Sequence, residues 1–331
     1  MARTARWLGE LYPFASHYLE IDGHRMHYVD EGRGPVVLML HGNPTWSFYY
    51  RDLIRGLRGC CRVVAPDHIG CGLSDKPQRY PYTLATHIKN VGRLIEHLDL
   101  SDITLAVHDW GGAIGLGWAT RHVDLVRGLV LFNTAAYLRG VPRRRGASRR
   151  SVRDGVDVGA GGGVREVGDS LPVPVRIRVC GWPVVGDIAV RGLNAFARAA
   201  VFMACKRPGG MGADVRRGYL HPYHSYRDRV ALLGFVRDIP LRPDVPSYAV
   251  VAAIDAGLAR LRALPVIAFW GMRDFCFHAG FLAAWIERFP GATVHRFEDA
   301  GHYVVEDAHA RILPRLREFV VGARCADGVR A

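Results

Sequence analysis

Residues 103–119 read Ile-Thr-Leu-Ala-Val-His-Asp-Trp-Gly-Gly-Ala-Ile-Gly-Leu-Gly-Trp-Ala. The apolar run Ile103–Val107 predicts a short buried strand. The small residues from Gly111 onward predict a helix that approaches the strand closely. Only His108, Asp109 and Trp110 lie between them, so the chain must turn sharply with Asp109 at the apex. A carboxylate in front of a helix N-terminus is electrostatically favoured. Val107 is larger than the glycine usual before a serine nucleophile on such an elbow, and the apex residue is not serine.

The same kind of apolar run recurs on either side. Residues 17–30 alternate around Asp22-Gly23 and predict a β-hairpin. Pro35–Leu40, Cys61–Ala65, Val126–Phe132, Pro265–Trp270 and Ala292–Phe297 predict further strands, continuous enough to be buried on both faces. Helical patterns separate them at roughly 47–57, 83–98, 112–122, 278–289 and 305–321. Alternating strands and helices predict an α/β fold with a mostly parallel, doubly wound sheet. Ligands of such sheets bind beyond the carboxyl ends of the strands. Three of the runs end there in reactive polar residues: His41 and Asn43, Asp109, and Asp274.

The alternation stops between about 139 and 245. Helical patterns at Val184–Arg198, Ala213–Leu220 and Ser225–Asp238 predict an inserted helical cap. The core is then residues 1–138 and 246–331, and the cap is 139–245. Within the cap, about 141–172 is a Gly/Arg-rich insertion, with Arg143–Arg165 lacking any aromatic residue. Such a composition predicts a disordered excursion or a basic docking loop.

The chain has 331 residues, 49% of them hydrophobic, which is enough for one large core with a smaller inserted unit. No apolar run reaches the ~20 residues of a membrane span, and the N-terminus lacks a signal-peptide pattern. A cytoplasmic protein is expected. The net charge of +13 comes almost wholly from arginine, with lysine only at Lys76, Lys89 and Lys206. No nucleic-acid motif accompanies it, so no nucleic-acid partner is expected. The seven cysteines form no metal-binding spacing and read as reduced thiols. No cofactor and no metal are expected.

A carboxylate nucleophile displaces at carbon and needs no deprotonation. Hydrolysing the resulting ester needs a base. His302, in Asp299-Ala-Gly-His-Tyr303, follows the last strand and opens a helix, where the nucleophile–acid–histidine order places it. The acid that orients it is assigned to Asp274; the alternative position after Val126–Phe132 carries Asn133. Glu306 is expected to cap or solvate the last helix. After the first buried strand, His41-Gly-Asn-Pro-Thr-Trp46 supplies Asn43. The amide of Asn43 and the indole of Trp110 are neutral donors suited to a halide or carboxylate. The backbone N–H groups of this turn and of Trp110 suit an oxyanion hole.

His-Gly-Asn-Pro-Thr-Trp at 41–46, His-Asp-Trp-Gly-Gly at 108–112 and Gly-His-Tyr at 301–303, in this order, resemble the haloalkane dehalogenase family of α/β-hydrolases. The resemblance implies the α/β-hydrolase fold. It also implies an alkyl ester on Asp109, water activated by His302, and an anion held by Asn43 and Trp110. Asp67–Pro77, Arg191–Ala197 and Trp270–Phe277 resemble the β-lactone decarboxylases of bacterial long-chain olefin biosynthesis. That implies conversion of a cis-3,4-dialkyl β-lactone to a cis-alkene and carbon dioxide, an apolar small-molecule substrate, and other enzymes of an olefin-biosynthesis complex as partners. His278 departs from that branch, which carries an acid there.

Two other classes stay open on sequence alone. An epoxide hydrolase needs cap tyrosines, and Tyr219, Tyr223 and Tyr226 are available. A non-catalytic partner subunit would use the Arg-rich insertion as its interface.

Overall fold

The computed structural model describes residues 6–138 and 173–322. The Gly/Arg-rich insertion expected over about 141–172 lies outside the described residues. Eight strands form one sheet: β1 (His17–Ile21), β2 (His24–Glu31), β3 (Val36–Leu40), β4 (Arg62–Pro66), β5 (Ile103–Asp109), β6 (Val126–Thr134), β7 (Val266–Gly271) and β8 (Thr293–Phe297). Their order is β1-β2-β4-β3-β5-β6-β7-β8. The β1/β2 and β2/β4 pairs are antiparallel and the others are parallel. The β1/β2 turn places both Asp22 and Gly23 at positive φ, as a two-residue hairpin loop requires.

The helices are α1 (Arg6–Leu11), α2 (Arg51–Leu57), α3 (Leu84–His97), α4 (Trp110–Ala119), α5 (Val175–Cys180), α6 (Ala195–Met203), α7 (Ala213–Leu220), α8 (Val230–Arg237), α9 (Pro246–Gly257), α10 (Ala279–Arg288) and α11 (Val304–Val321). They cover both faces of the sheet, which is why the central strands read as unbroken apolar runs. The pleat sorts their side chains. Leu38, Leu40, Leu105 and Val107 enter one core with residues of α3 and α4. Val37, Met39 and Ala106 enter the other with residues of α2 and α11. Each fully buried aliphatic side chain contributes ~1.5–3 kcal/mol relative to exposure.

Between β6 and β7 the described chain forms α5 to α9. Helix α7 coincides with the expected Ala213–Leu220. The helix expected over Val184–Arg198 is broken instead: a π-helical turn spans Asp187–Gly192, and α6 starts only at Ala195. The break is at Asn194, whose φ of 54° is left-handed and whose Nδ2 donates to the Tyr223 carbonyl at 3.2 Å. A helical period cannot reveal that competing bond. The helix expected from Ser225 starts as a 3₁₀ turn at Arg227–Arg229 before α8. Helix α9, with proline at its first turn, packs on α4 and α3. Val190, Ala197, Tyr223, Leu232 and Leu233 form a small core of their own above the sheet.

Candidate active site

Asp109 ends β5 at φ 51° and ψ −125°, a conformation rare for a residue with a side chain. Its surroundings leave no freedom to relax. A Cβ on Gly42 would collide with the Asp109 carboxylate, and one on Gly111 with the Leu40 carbonyl. Thr134 Oγ1 donates to the Asp109 carbonyl at 2.5 Å. The Asn43 backbone N–H donates to Asp109 Oδ1 at 2.8 Å, and the neighbouring Trp110 N–H favours the charge of this carboxylate. The two backbone donors expected to form an oxyanion hole thus already hold the acid at the apex. Burial raises its pKa above the ordinary range, against the lowering pull of His302 and these two N–H groups.

His302 faces two carboxylates. Its Nδ1 lies 2.9 Å from Asp274 Oδ2 and its Nε2 3.8 Å from Asp109 Oδ2. Burial opposes its charge, but Asp274, through charge and hydrogen bond, and then Asp109 outweigh that and hold its pKa above the ordinary value. Asp274 is fully buried and takes a Cys276 backbone N–H on Oδ1 at 2.6 Å.

Three partners of this pair were missed in the sequence. Asn133 donates from Nδ2 to Asp274 Oδ2 at 2.9 Å, while its Oδ1 accepts the Gly271 N–H at 2.8 Å. The sequence signal was present, as a polar residue closing a buried strand. His108 places Nε2 2.9 Å from the His302 carbonyl, and its ring packs 4.7 Å from that of His302. Asp307 accepts from the Gly301, Lys206 and Arg207 backbone N–H groups, tying the histidine loop to the segment after α6.

Glu306 is neither a solvated residue nor a cap, contrary to expectation. It is buried, pairs with both terminal nitrogens of Arg51, and accepts from Tyr219 Oη at 2.7 Å. The reason is tertiary: α2 and α7 converge on the first turn of α11. His278 is the N-cap of α10, its Nδ1 accepting the Gly280 N–H at 3.1 Å.

Asn43, Asp109, Trp110 and His302 line one cavity of about 310 Å³. The rest of its wall is mostly apolar, including Ala135, Ile177, Met203, Val236 and Phe281, with Tyr137 and Arg176, whose guanidinium stacks 4.1 Å over Phe275, as the polar exceptions. The Trp110 ring packs 5.3 Å from Phe235. The Asn43 amide spends one N–H on the Leu232 carbonyl at 3.1 Å, which leaves its second N–H as a donor. Tyr219, Tyr223 and Tyr226 are not in the cavity wall. Tyr219 and Tyr223 instead donate to Glu306 and to the Thr45 carbonyl. Among the described residues, no three metal-ligating side chains converge. The arrangement places a buried carboxylate, a histidine and neutral donors around an apolar space.

A model of the alpha/beta hydrolase fold matches residues 35–146. The chain is 38% identical to a cis-3-alkyl-4-alkyloxetan-2-one decarboxylase of Shewanella oneidensis, over 95% of this chain and 90% of that protein. A protein of the same name from Xanthomonas campestris is 37% identical over 93% and 97%. Haloalkane dehalogenase DbeA from Bradyrhizobium elkani superposes with a TM-score of 0.77 at 25% identity, covering 95% of this chain and all of that one. The chain belongs to the haloalkane dehalogenase family of α/β-hydrolases and groups there with the β-lactone decarboxylases.

Proposed function

We propose that this chain converts cis-3,4-dialkyl β-lactones to cis-alkenes and carbon dioxide, with Asp109 as nucleophile, His302 and Asp274 as its partners, and Asn43 and Trp110 as anion donors. The observation that carries the reading is the Asp109 carboxylate at the floor of an apolar cavity, with anion donors beside it; Tyr137, the tyrosine among its described lining residues, already donates its hydroxyl to the Phe281 carbonyl at 2.7 Å. Residues 139–245 act in this reading as the cap of that cavity.

The steps balance without water or an external proton. Asp109 displaces the ring oxygen at the ring carbon that bears it, giving an alkyl ester and a free carboxylate. Asn43 and Trp110 hold that carboxylate as it forms. The bond between the carboxylate carbon and the chain then breaks. Its electron pair forms the double bond, carbon dioxide leaves, and Asp109 is released as carboxylate. Inversion in the first step and anti elimination in the second together retain the cis geometry. His302 abstracts no proton on this path; its charge, favoured by Asp274, steadies the anions beside it.

Haloalkane hydrolysis is the second reading. It is favoured by His302 Nε2 standing 3.8 Å from Asp109, where a base could direct water onto the ester. The lactone reading also carries an expected association with enzymes that supply the lactone.

Headspace gas chromatography after incubation with a synthetic cis-dialkyl β-lactone tests the proposal. Alkene above the no-enzyme control, absent with Asp109→Ala, is the expected result. Folded protein that forms no alkene would overturn it.

A further inference from the structure

A ridge of apolar side chains stands exposed on the outside of the segment that follows residue 173. Val175 is 70% exposed, Trp182 58%, Val184 66%, Ile188 57% and Leu193 65%. Isolated exposed apolar residues need no explanation, but a contiguous set marks a surface that meets something apolar. Three of these residues are contiguous. The Ile188 N–H bonds the Val184 carbonyl at 2.9 Å, and the Leu193 N–H bonds the Ile188 carbonyl at 2.8 Å. The three side chains therefore follow one another along one helical edge. Val184 also holds a φ of 63°, which a β-branched residue rarely adopts, and its side chain buries little in return.

The inner side of the same segment is cavity wall: Val173, Pro174, Arg176, Ile177 and Cys180 line it. Helix α5 thus carries both Val175 of the ridge and part of the cavity wall. The fringe of the ridge is basic. Arg198 and Arg217 stand exposed around a hollow that Leu193 also lines, Arg178 stands exposed on α5, and the one acid in the sequence between 173 and 204 is Asp187. That acid is already paired with Arg237 at 2.7 Å and with Arg191 at 3.7 Å.

We infer that this ridge docks the protein on the surface of an anionic lipid bilayer. Tryptophan and aliphatic side chains enter the headgroup boundary, while the arginines meet anionic headgroups. A second copy of the chain fits the face less well, because a two-fold pairing would set the arginine fringe against itself. The docking rests on exposure and charge alone. Its purpose rests on the function proposed above: an alkyl-rich substrate dissolves in the bilayer, and α5, which carries Val175 of the ridge, is also cavity wall.

Flotation of the full chain with vesicles tests this, comparing phosphatidylcholine alone with phosphatidylcholine plus phosphatidylglycerol. The wild type floats with the anionic vesicles and is released by salt. The double variant Trp182→Asp, Ile188→Asp partitions at least about tenfold less. Neither residue lines the cavity, so the variant keeps its melting temperature and its turnover of a short-chain, water-soluble lactone. Three results would each overturn the docking: no association of the wild type at low salt, association that survives the double variant, or a lipid-free dimer that the variant splits. Flotation without alkene formation would retain the docking and reject the lactone reading. Alkene formation without flotation would do the reverse.

Discussion

Asn133 Nδ2 lies 2.9 Å from Asp274 Oδ2, the same oxygen that faces His302 Nδ1 at 2.9 Å. One carboxylate oxygen thus serves two donors, and the Gly271 N–H locks the Asn133 amide by holding its Oδ1. Asn133 is a positioning residue. Asn133→Leu strips Asp274 of a donor and orphans the buried Gly271 N–H, at a cost of about 1–3 kcal/mol in stability. It should also lower kcat by up to about a hundredfold through misplacement of His302. Urea melts and steady-state kinetics on a bromoalkane check both parts. Unchanged kcat in folded protein would deny the positioning role.

In the proposed site, His302→Gln removes the base for ester hydrolysis but leaves Asp109 able to displace. With a bromoalkane, this variant should release one halide per chain and then stop. Mass spectrometry should find the alkyl group on the peptide that carries Asp109. Continued turnover would mean that another group activates water.

The pH profiles of the two reactions should separate. Burial raises the Asp109 pKa above its ordinary 3.8, so any reaction at this carboxylate falls as pH drops through that raised value. Asp274 and Asp109 outweigh burial and raise the His302 pKa above 6.5. Hydrolysis needs this histidine neutral, so bromoalkane turnover should be lost below a pKa above 6.5. Lactone decarboxylation should persist there, down to the Asp109 limb. Coincident profiles would show that the lactone path also needs a neutral His302.

The Glu306–Arg51 pair is closed off from water, with Tyr219 as a third member. Glu306→Leu leaves the buried Arg51 with Asp52, at 3.2 Å, as its one carboxylate partner, at a cost of up to about 3–5 kcal/mol. Tyr219→Phe removes one hydrogen bond to a charged group, at a cost of about 1.5–3 kcal/mol. Urea unfolding at neutral pH should rank the two variants in that order.

His87 is buried against Phe235, their rings 4.5 Å apart, and neither ring nitrogen has a hydrogen-bond partner. Burial, and then the charge of His41, lowers its pKa to about 3. The unfolded chain takes up this proton near 6.5 and the folded chain does not, so stability is lost as pH falls from 6.5 toward 3. His87→Leu should therefore lose less stability than wild type between neutral pH and pH 5, by about 2 kcal/mol. An equal loss in both proteins would place the acid sensitivity elsewhere.

The order of strands and helices was legible in the sequence because burial on both faces of a sheet leaves long apolar runs. The positions of Asp109, Asp274 and His302 were legible for a related reason: each follows such a run, at the edge where a parallel sheet opens. Helix breaks in the segment between β6 and β7 were not legible. They depend on contacts such as Asn194 with Tyr223, which lie far apart in sequence.

By itself, the sequence determined the α/β class, the sharp turn at Asp109 and the family of the chain, since local periodicity and short motifs carry these. Only the tertiary structure decided which polar residues support the site. Asn133 read as the absence of an acid and became the partner of Asp274; Glu306 read as solvated and became buried with Arg51. The physical reason is that a buried polar group is defined by what faces it across the fold, and these partners stand 141 and 255 residues away along the chain.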